Sequence, residues 1–242
     1  MAKSTKRRFL FLINFLICFA LLCFISACGS SGSRGKEVSI FSFDASSTSL
    51  TAGQSSILTV KVVDSEDAPV SGETVDFTIT DNKSGATLTT LDGGITDAEG
   101  NVVAVYKAGT TNPMIDVEDI IQASTSDSNQ VVIIMREKPS GLNLTLASDI
   151  ANNQISSGEH ASMAATVLDD SGNPVVGITV TFNIVTNNSD ATITTGTATT
   201  DATGDAIWVY TAGNTVDVND TISATVSGGG YDSTDNIVMQ VI

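Results

Sequence analysis

The second half of this chain repeats the first, and that internal copy limits the available folds more than any other feature. Val62-Val63-Asp64-Ser65-Glu66-Asp67-Ala68-Pro69-Val70-Ser71-Gly72 is matched, 105 positions later, by Val167-Leu168-Asp169-Asp170-Ser171-Gly172-Asn173-Pro174-Val175-Val176-Gly177. The match runs on from Thr74-Val75-Asp76-Phe77-Thr78-Ile79 to Thr179-Val180-Thr181-Phe182-Asn183-Ile184. Thr96-Asp97-Ala98-Glu99-Gly100 faces Thr200-Asp201-Ala202-Thr203-Gly204, and Tyr106-Lys107-Ala108-Gly109 faces Tyr210-Thr211-Ala212-Gly213. Each unit closes on a similar acidic stretch, Asp116-Val117-Glu118-Asp119 in one and Asp217-Val218-Asn219-Asp220 in the other. Two copies of one unit mean two copies of one fold.

The unit reads as strands. Over 57–63, Leu58, Val60 and Val62 alternate with Thr59 and Lys61; Val75, Phe77 and Ile79 alternate with Asp76 and Thr78, and Val180, Phe182 and Ile184 repeat that pattern. A period of two places one face of each strand on a core and the other in solvent. Pro69 and Gly72, like Pro174 and Gly177, bring turn chemistry between consecutive strands. Short Thr- and Val-rich strands without helical periodicity predict an all-β fold, two tandem immunoglobulin-like β-sandwiches. The expected organisation is a signal peptide over 1–27, a Gly/Ser tether over 28–36, a first domain over 37–137 and a second over 138–242, with Pro139 stiffening the linker.

The pattern aliphatic-x-Asp-x-x-Gly-Asn-Pro-Val-x-Gly-x-x-Val-x-Phe, followed by Thr-Thr-Asp-x-x-Gly-x-Ala, resembles the group 1 bacterial immunoglobulin-like domains that form invasin- and intimin-type adhesin stalks. Residues 168–206 follow it closely. The first copy departs at Asp67 and Ala68, where the family prefers Gly-Asn, and at Val102, where Ala is usual; it also carries three extra residues near Asn112 and Pro113. These changes touch turns, so they bear on loop shape rather than on fold. The resemblance implies a stalk or adhesion role. Such adhesins add an outer-membrane β-barrel and often a lectin-like tip; neither pattern occurs in these residues, so binding is expected to use the sandwich surfaces or loops.

The N-terminal residues supply an address. Lys3, Lys6, Arg7 and Arg8 precede an apolar run over 9–24 broken only by Asn14, the charged and hydrophobic regions of an export signal. Ile25-Ser26-Ala27-Cys28 resembles the lipobox of bacterial lipoproteins, with Ile25 in place of the more frequent Leu. The resemblance implies cleavage after Ala27, lipid on the thiol of Cys28, and membrane attachment through that lipid. Gly29 at the following position points to the outer membrane under the sorting rule of enterobacterial lipoproteins. The alternatives are an ordinary export signal with a chance Cys, or an uncleaved anchor. Cys18 and Cys23 would leave with the signal, so the domains contain no cysteine.

Charge narrows the partners. The chain carries a formal charge of −16, and loss of the first 27 residues would leave seven basic against 27 acidic residues, or −20. Phosphate binding needs clustered Lys and Arg, so nucleic acid is not an expected partner; a protein or glycan is. His160 is the chain's only histidine and is expected in the turn before a 163–168 strand. It leaves no basis for a Ser-His-Asp triad or a histidine metal site, and Gly228-Gly229-Gly230 lacks the Lys of a phosphate loop. No enzyme activity and no small-molecule substrate are expected. Trp208 reads as core packing or as an exposed aromatic contact. Asp64, Glu66 and Asp67, with Asp169 and Asp170, are solvated turn acids or calcium ligands. The sharper calcium candidates are Asp116, Glu118 and Asp119 in one repeat and Asp217 and Asp220 in the other, although none has EF-hand spacing.

Overall fold

The computed structural model describes residues 37–242. The signal peptide, Cys28 and the tether expected over 28–36 lie outside them. In the first repeat the strands are β1 (Val38–Ala45), β2 (Ser49–Leu50), β3 (Ser55–Asp64), β4 (Asp76–Asp81), β5 (Thr87–Thr90), β6 (Asn101–Lys107), β7 (Val117–Ser124) and β8 (Asn129–Arg136). The second contains β9 (Asn143–Ser148), β10 (Gln154–Ile155), β11 (His160–Leu168), β12 (Thr179–Thr186), β13 (Thr195–Thr199), β14 (Asp205–Thr211), β15 (Val218–Gly228) and β16 (Tyr231–Val241).

Each repeat folds into two facing sheets. The order is β1-β3-β6-β5 against β2-β8-β7-β4 in the first, and β14-β11-β9 against β10-β16-β15-β12-β13 in the second. The alternation read from sequence sets the faces: Leu58, Val60 and Val62 have no exposed surface, while Ile57 on the opposite face is 53 % exposed. In the second repeat Met163, Ala165 and Val167 are buried in the same way. The ladder runs further back than expected there. Ala161 pairs with Tyr210 and His160 with Thr211, so His160 is the first residue of β11 rather than part of a turn. Its exposed imidazole Nδ1 lies 2.8 Å from the Thr211 hydroxyl.

The turns keep their shape where the sequence departs from the family pattern. Asp67 takes φ +61° and its counterpart Gly172 takes φ +80°. Each amide donates to the carbonyl three residues back, at 3.0 Å, in Asp64 and Asp169. Asp tolerates the left-handed region better than most residues, so the substitution strains the turn without reshaping it.

One strand changes sheets between the copies. In the first repeat β5 pairs with β6, bringing Thr90 opposite Ala104. The second repeat has Trp208 near that point; its indole stacks on Phe182 at 5.6 Å between centroids, and β13 pairs with β12 instead. Trp208 is half-buried against the core, in keeping with the packing role. A Cβ on Gly196 would lie 2.2 Å from its Nε1, so this strand can pass the indole only as glycine. Gly196→Ala is therefore expected to destabilise the second repeat by about 1–3 kcal/mol, read in urea unfolding by the emission of Trp208, the chain's only tryptophan.

Candidate functional site

Two features of the folded chain go beyond generic sandwich packing: a buried carboxylate in each repeat, and the junction between repeats. Asp119 on β7 and Asp220 on β15 have no exposed surface. A carboxylate taken out of water must be compensated by donors, and each repeat supplies the same set. Asp119 Oδ1 accepts the amides of Lys83 (2.7 Å) and Ser84 (2.9 Å). Its Oδ2 accepts the hydroxyls of Ser84 and of Tyr106, the latter at 2.6 Å. Asp220 Oδ1 accepts the amides of Asn188 (2.8 Å) and Ser189 (2.9 Å), and Oδ2 the hydroxyls of Ser189 (2.5 Å) and Tyr210 (2.7 Å).

The repeated Tyr-x-Ala-Gly is the other half of this cage. Gly109 and Gly213 each donate an amide to the cage serine, at 3.1 and 2.9 Å. A Cβ at either glycine would lie within about 2 Å of the Ser84 or Ser189 carbonyl oxygen. Burial pushes the Asp119 carboxyl upward, but hydrogen bonds from Ser84, Tyr106 and Lys83 outweigh it and hold the group below its ordinary range. Burial pushes the Tyr106 and Tyr210 phenols upward, reinforced by hydrogen bonding to the neighbouring carboxylate.

This placement answers where the calcium candidates go. Along β7, Glu118 is exposed and Asp119 is buried, so strand alternation sends their carboxylates to opposite faces. Asp116 instead accepts the Lys138 amide at 2.7 Å. Asp217 is exposed while Asp220 is enclosed in its cage. Asp64 and Asp169 each accept two turn amides on one oxygen, from Glu66 and Ala68 and from Ser171 and Asn173. Among the described residues no three His, Cys, Asp or Glu side chains are placed to hold one metal ion. Sequence reading noted the two acidic stretches but missed the cages. The signal was available: Ile121 and Ala123 face inward, and Asp119 shares their parity.

The first cage borders the junction. The three extra residues after Gly109 belong to a segment, 110–114, that reaches the second repeat. Met114 packs against that repeat's core. A Cβ on Gly229, in the hairpin between β15 and β16, would lie 2.6 Å from the Met114 carbonyl oxygen. Arg136 supports this segment from below. It is fully buried, and its Nη2 donates to the carbonyls of Thr111 (3.1 Å) and Asn112 (3.0 Å). Its Nε and Nη1 have no partner. Burial pushes the guanidinium pKa down, opposed by the charge of Asp119. The second repeat has Val241 at this position: Arg136 pairs with Val117, and Val241 with Val218. Arg136 therefore goes with the insertion that it holds.

Other contacts close the junction. Tyr231 donates its hydroxyl to the Pro139 carbonyl at 3.1 Å, and the Lys138 ammonium sits 5.1 Å from the Tyr231 ring centroid. A crevice lined by Thr51, Ala52, Pro113, Pro139, Pro174 and Val176 holds about 10 Å³, at the limit for one water. The two sandwiches belong to one compact unit.

The fold agrees with solved structures. Invasin, a bacterial integrin-binding protein, is 19 % identical with a TM-score of 0.51, covering 83 % of this chain and 38 % of that one. Both repeats are Ig-like sandwiches with the fold found in invasin. The Yersinia pseudotuberculosis adhesin InvE is 22 % identical (TM-score 0.38; 87 % and 62 % covered). The Escherichia coli adhesin FdeC is 19 % identical (TM-score 0.35; 88 % and 66 % covered). This chain thus spans from about two fifths to just under two thirds of their lengths. No protein-family model and no curated protein matches it.

Two tests address the site. Tyr106→Phe removes one donor to Asp119 and is expected to cost about 1–3 kcal/mol. Because the folded carboxyl lies below its unfolded value, its stabilisation is present above about pH 4 and is lost as pH falls through the folded pKa. Tyr106→Phe raises that folded value, so the acid-side loss in urea midpoints moves to higher pH than in the parent. At the junction, Met114→Ser is expected to lower the stability of the second repeat by about 1–3 kcal/mol and to speed proteolysis at residues 137–140.

Proposed function

We propose that this chain is a non-enzymatic cell-envelope module, held at the outer membrane by lipid on Cys28, whose two Ig-like sandwiches act in adhesion or binding. The junction sealed by Met114 carries this reading. A stalk must transmit position, and repeats tied together by Met114, by the Tyr231–Pro139 hydrogen bond and by Lys138 on the Tyr231 ring do so where a flexible linker would not. Invasin is described as integrin-binding, and InvE and FdeC as adhesins; those roles support the proposal by likeness of fold. No constellation of acid, base and nucleophile accompanies the cages, whose carboxylates are saturated by protein donors. No helix among the described residues is long and apolar enough to cross a membrane; the proposed lipid attachment rests on the lipobox-like residues 25–28.

The same closed junction favours a second reading, a spacer that holds an envelope assembly at a set distance. Protease added to intact cells tests outward display: the surface reading expects the chain to be clipped, and full protection refutes it. Cys28→Ser in the same strain is expected to abolish acyl labelling and to release soluble or unprocessed protein. Deletion that leaves attachment intact, together with a stable co-purifying envelope complex, would assign the spacer role.

A further inference from the structure

The outer face of the larger sheet in the second repeat is a regular array of hydroxyl and amide side chains. Val180, Phe182, Ile222, Ala224 and Val226 are fully buried, so their alternates on β12 and β15 point away from the core. Strand register lines these alternates up across four strands. Thr197 pairs with Thr181, Thr181 with Thr225, and Thr225 with Thr234. The adjoining row is Thr195, Asn183, Ser223 and Asn236, of which Ser223 is itself buried beneath its neighbours. Thr199 and Thr179 extend it on one side, and Thr221 and Val238 on the other. The Thr225 and Thr234 hydroxyls already bond each other at 3.1 Å.

Neither row carries a charge, although the chain's formal charge is −16. Of the nearby acids, Asp235 turns inward, where its Oδ2 accepts the Leu146 amide at 2.8 Å, while Asp232, exposed and of the same parity as Thr234, stands at one end of the face. The corresponding sheet of the first repeat has Glu118 and Asp76 on its exposed face, so the array belongs to the second repeat alone.

We propose that this threonine face is a self-association surface, whose partner is the same face of a second copy of this chain. Three arguments select a copy. Hydroxyls and side-chain amides both donate and accept, so one patch can satisfy its own image, as a two-fold interface requires. Two strongly acidic chains repel wherever their carboxylates meet, and the two rows of this face carry none, Asp232 lying beyond them at one end. Three strands contributing about seven residues each and β13 contributing five, about 4.8 Å apart, cover roughly 400 Å², about 800 Å² for two copies, the size of a weak, transient interface. A glycan is disfavoured because no aromatic ring stands among the outward residues of these strands for a sugar to stack on. The proposal stands independently of the adhesion reading.

The test uses the full chain in detergent. With Cys18, Cys23 and Cys28 replaced by serine, Thr225→Cys, near the centre of the array, is expected to form an oxidative dimer of twice the monomer mass at least about tenfold faster than Thr145→Cys on the opposite sheet. The parent's sedimentation coefficient is expected to rise between about 5 and about 500 µM, more steeply with added salt. The double variant Thr181→Lys, Thr225→Lys is expected to stay monomeric with an unchanged unfolding midpoint. Equal cross-linking rates at the two positions, a parent coefficient that does not change with concentration, or lysine variants that still associate would each overturn the proposal. Retention on a neutral polysaccharide resin that the lysine variants lose, with the parent monomeric throughout, would overturn it in favour of a glycan.

Discussion

The buried carboxylate in each repeat is the interaction on which the surrounding structure depends. Asp119 lies on β7 in one sheet, Tyr106 on β6 in the other, and Ser84 on the loop after β4. One anionic group therefore ties both layers of the sandwich to a loop that closes its end. Such a group is tolerated in the interior only while its donors are in place, because an ionised carboxylate left unpaired there costs far more than any single contact contributes. The cage is thus demanding as well as stabilising. It specifies the serine, the tyrosine and the close-packed glycine together, which explains why the two repeats agree at these positions while diverging on their surfaces.

The junction is built outward from the first cage. Gly109 is held to Ser84 by its amide, and the chain leaves this fixed point directly into the segment ending at Met114. The second cage ends at Gly213 and has no such extension; the chain reaches Asp217 three residues sooner. One template therefore yields two different ends. In the first repeat, a cationic Arg136 replaces the apolar side chain found at Val241 because the insertion offers it two carbonyls. Burying a guanidinium with two unpartnered nitrogens is unfavourable on its own, and the packing of Met114 on the second repeat is the gain that accompanies it.

Much of the fold was legible in the sequence because it depends on period and repetition, which need no three-dimensional information. The alternation of Leu58, Val60 and Val62 fixes a face, and the repeat says that the solution occurs twice. The acidic stretches were harder. Read by proximity along the chain, Asp116, Glu118 and Asp119 resemble a cation site; along a strand, neighbours in sequence face opposite ways, so proximity misleads. Only the parity shared with Ile121 and Ala123 separates the buried carboxylate from its exposed neighbours. Strand exchange was hidden for a different reason. Whether β5 or β13 pairs with one sheet or the other depends on the space left by Ala104 or filled by Trp208, a packing contest between residues remote in sequence.

The excess of acid is also partly a folding device. Asp97 and Asp201, like Asp64 and Asp169, each use one oxygen to accept two backbone amides within a turn. These side chains do for a turn what a capping residue does for a helix: they satisfy amides that no ladder reaches. Four such aspartates and two caged ones place six negative charges where backbone geometry requires them rather than where solubility would. The strands between those turns can then be built from threonine, valine and asparagine, whose branching or hydrogen-bonding suits a pleated surface. Holding so many carboxylates in turns leaves the outer flank of β12, β15 and β16 with few charges, Asp232 at the start of β16 being exposed there. On a chain this acidic, that is the part of the surface where close approach of another like molecule costs least.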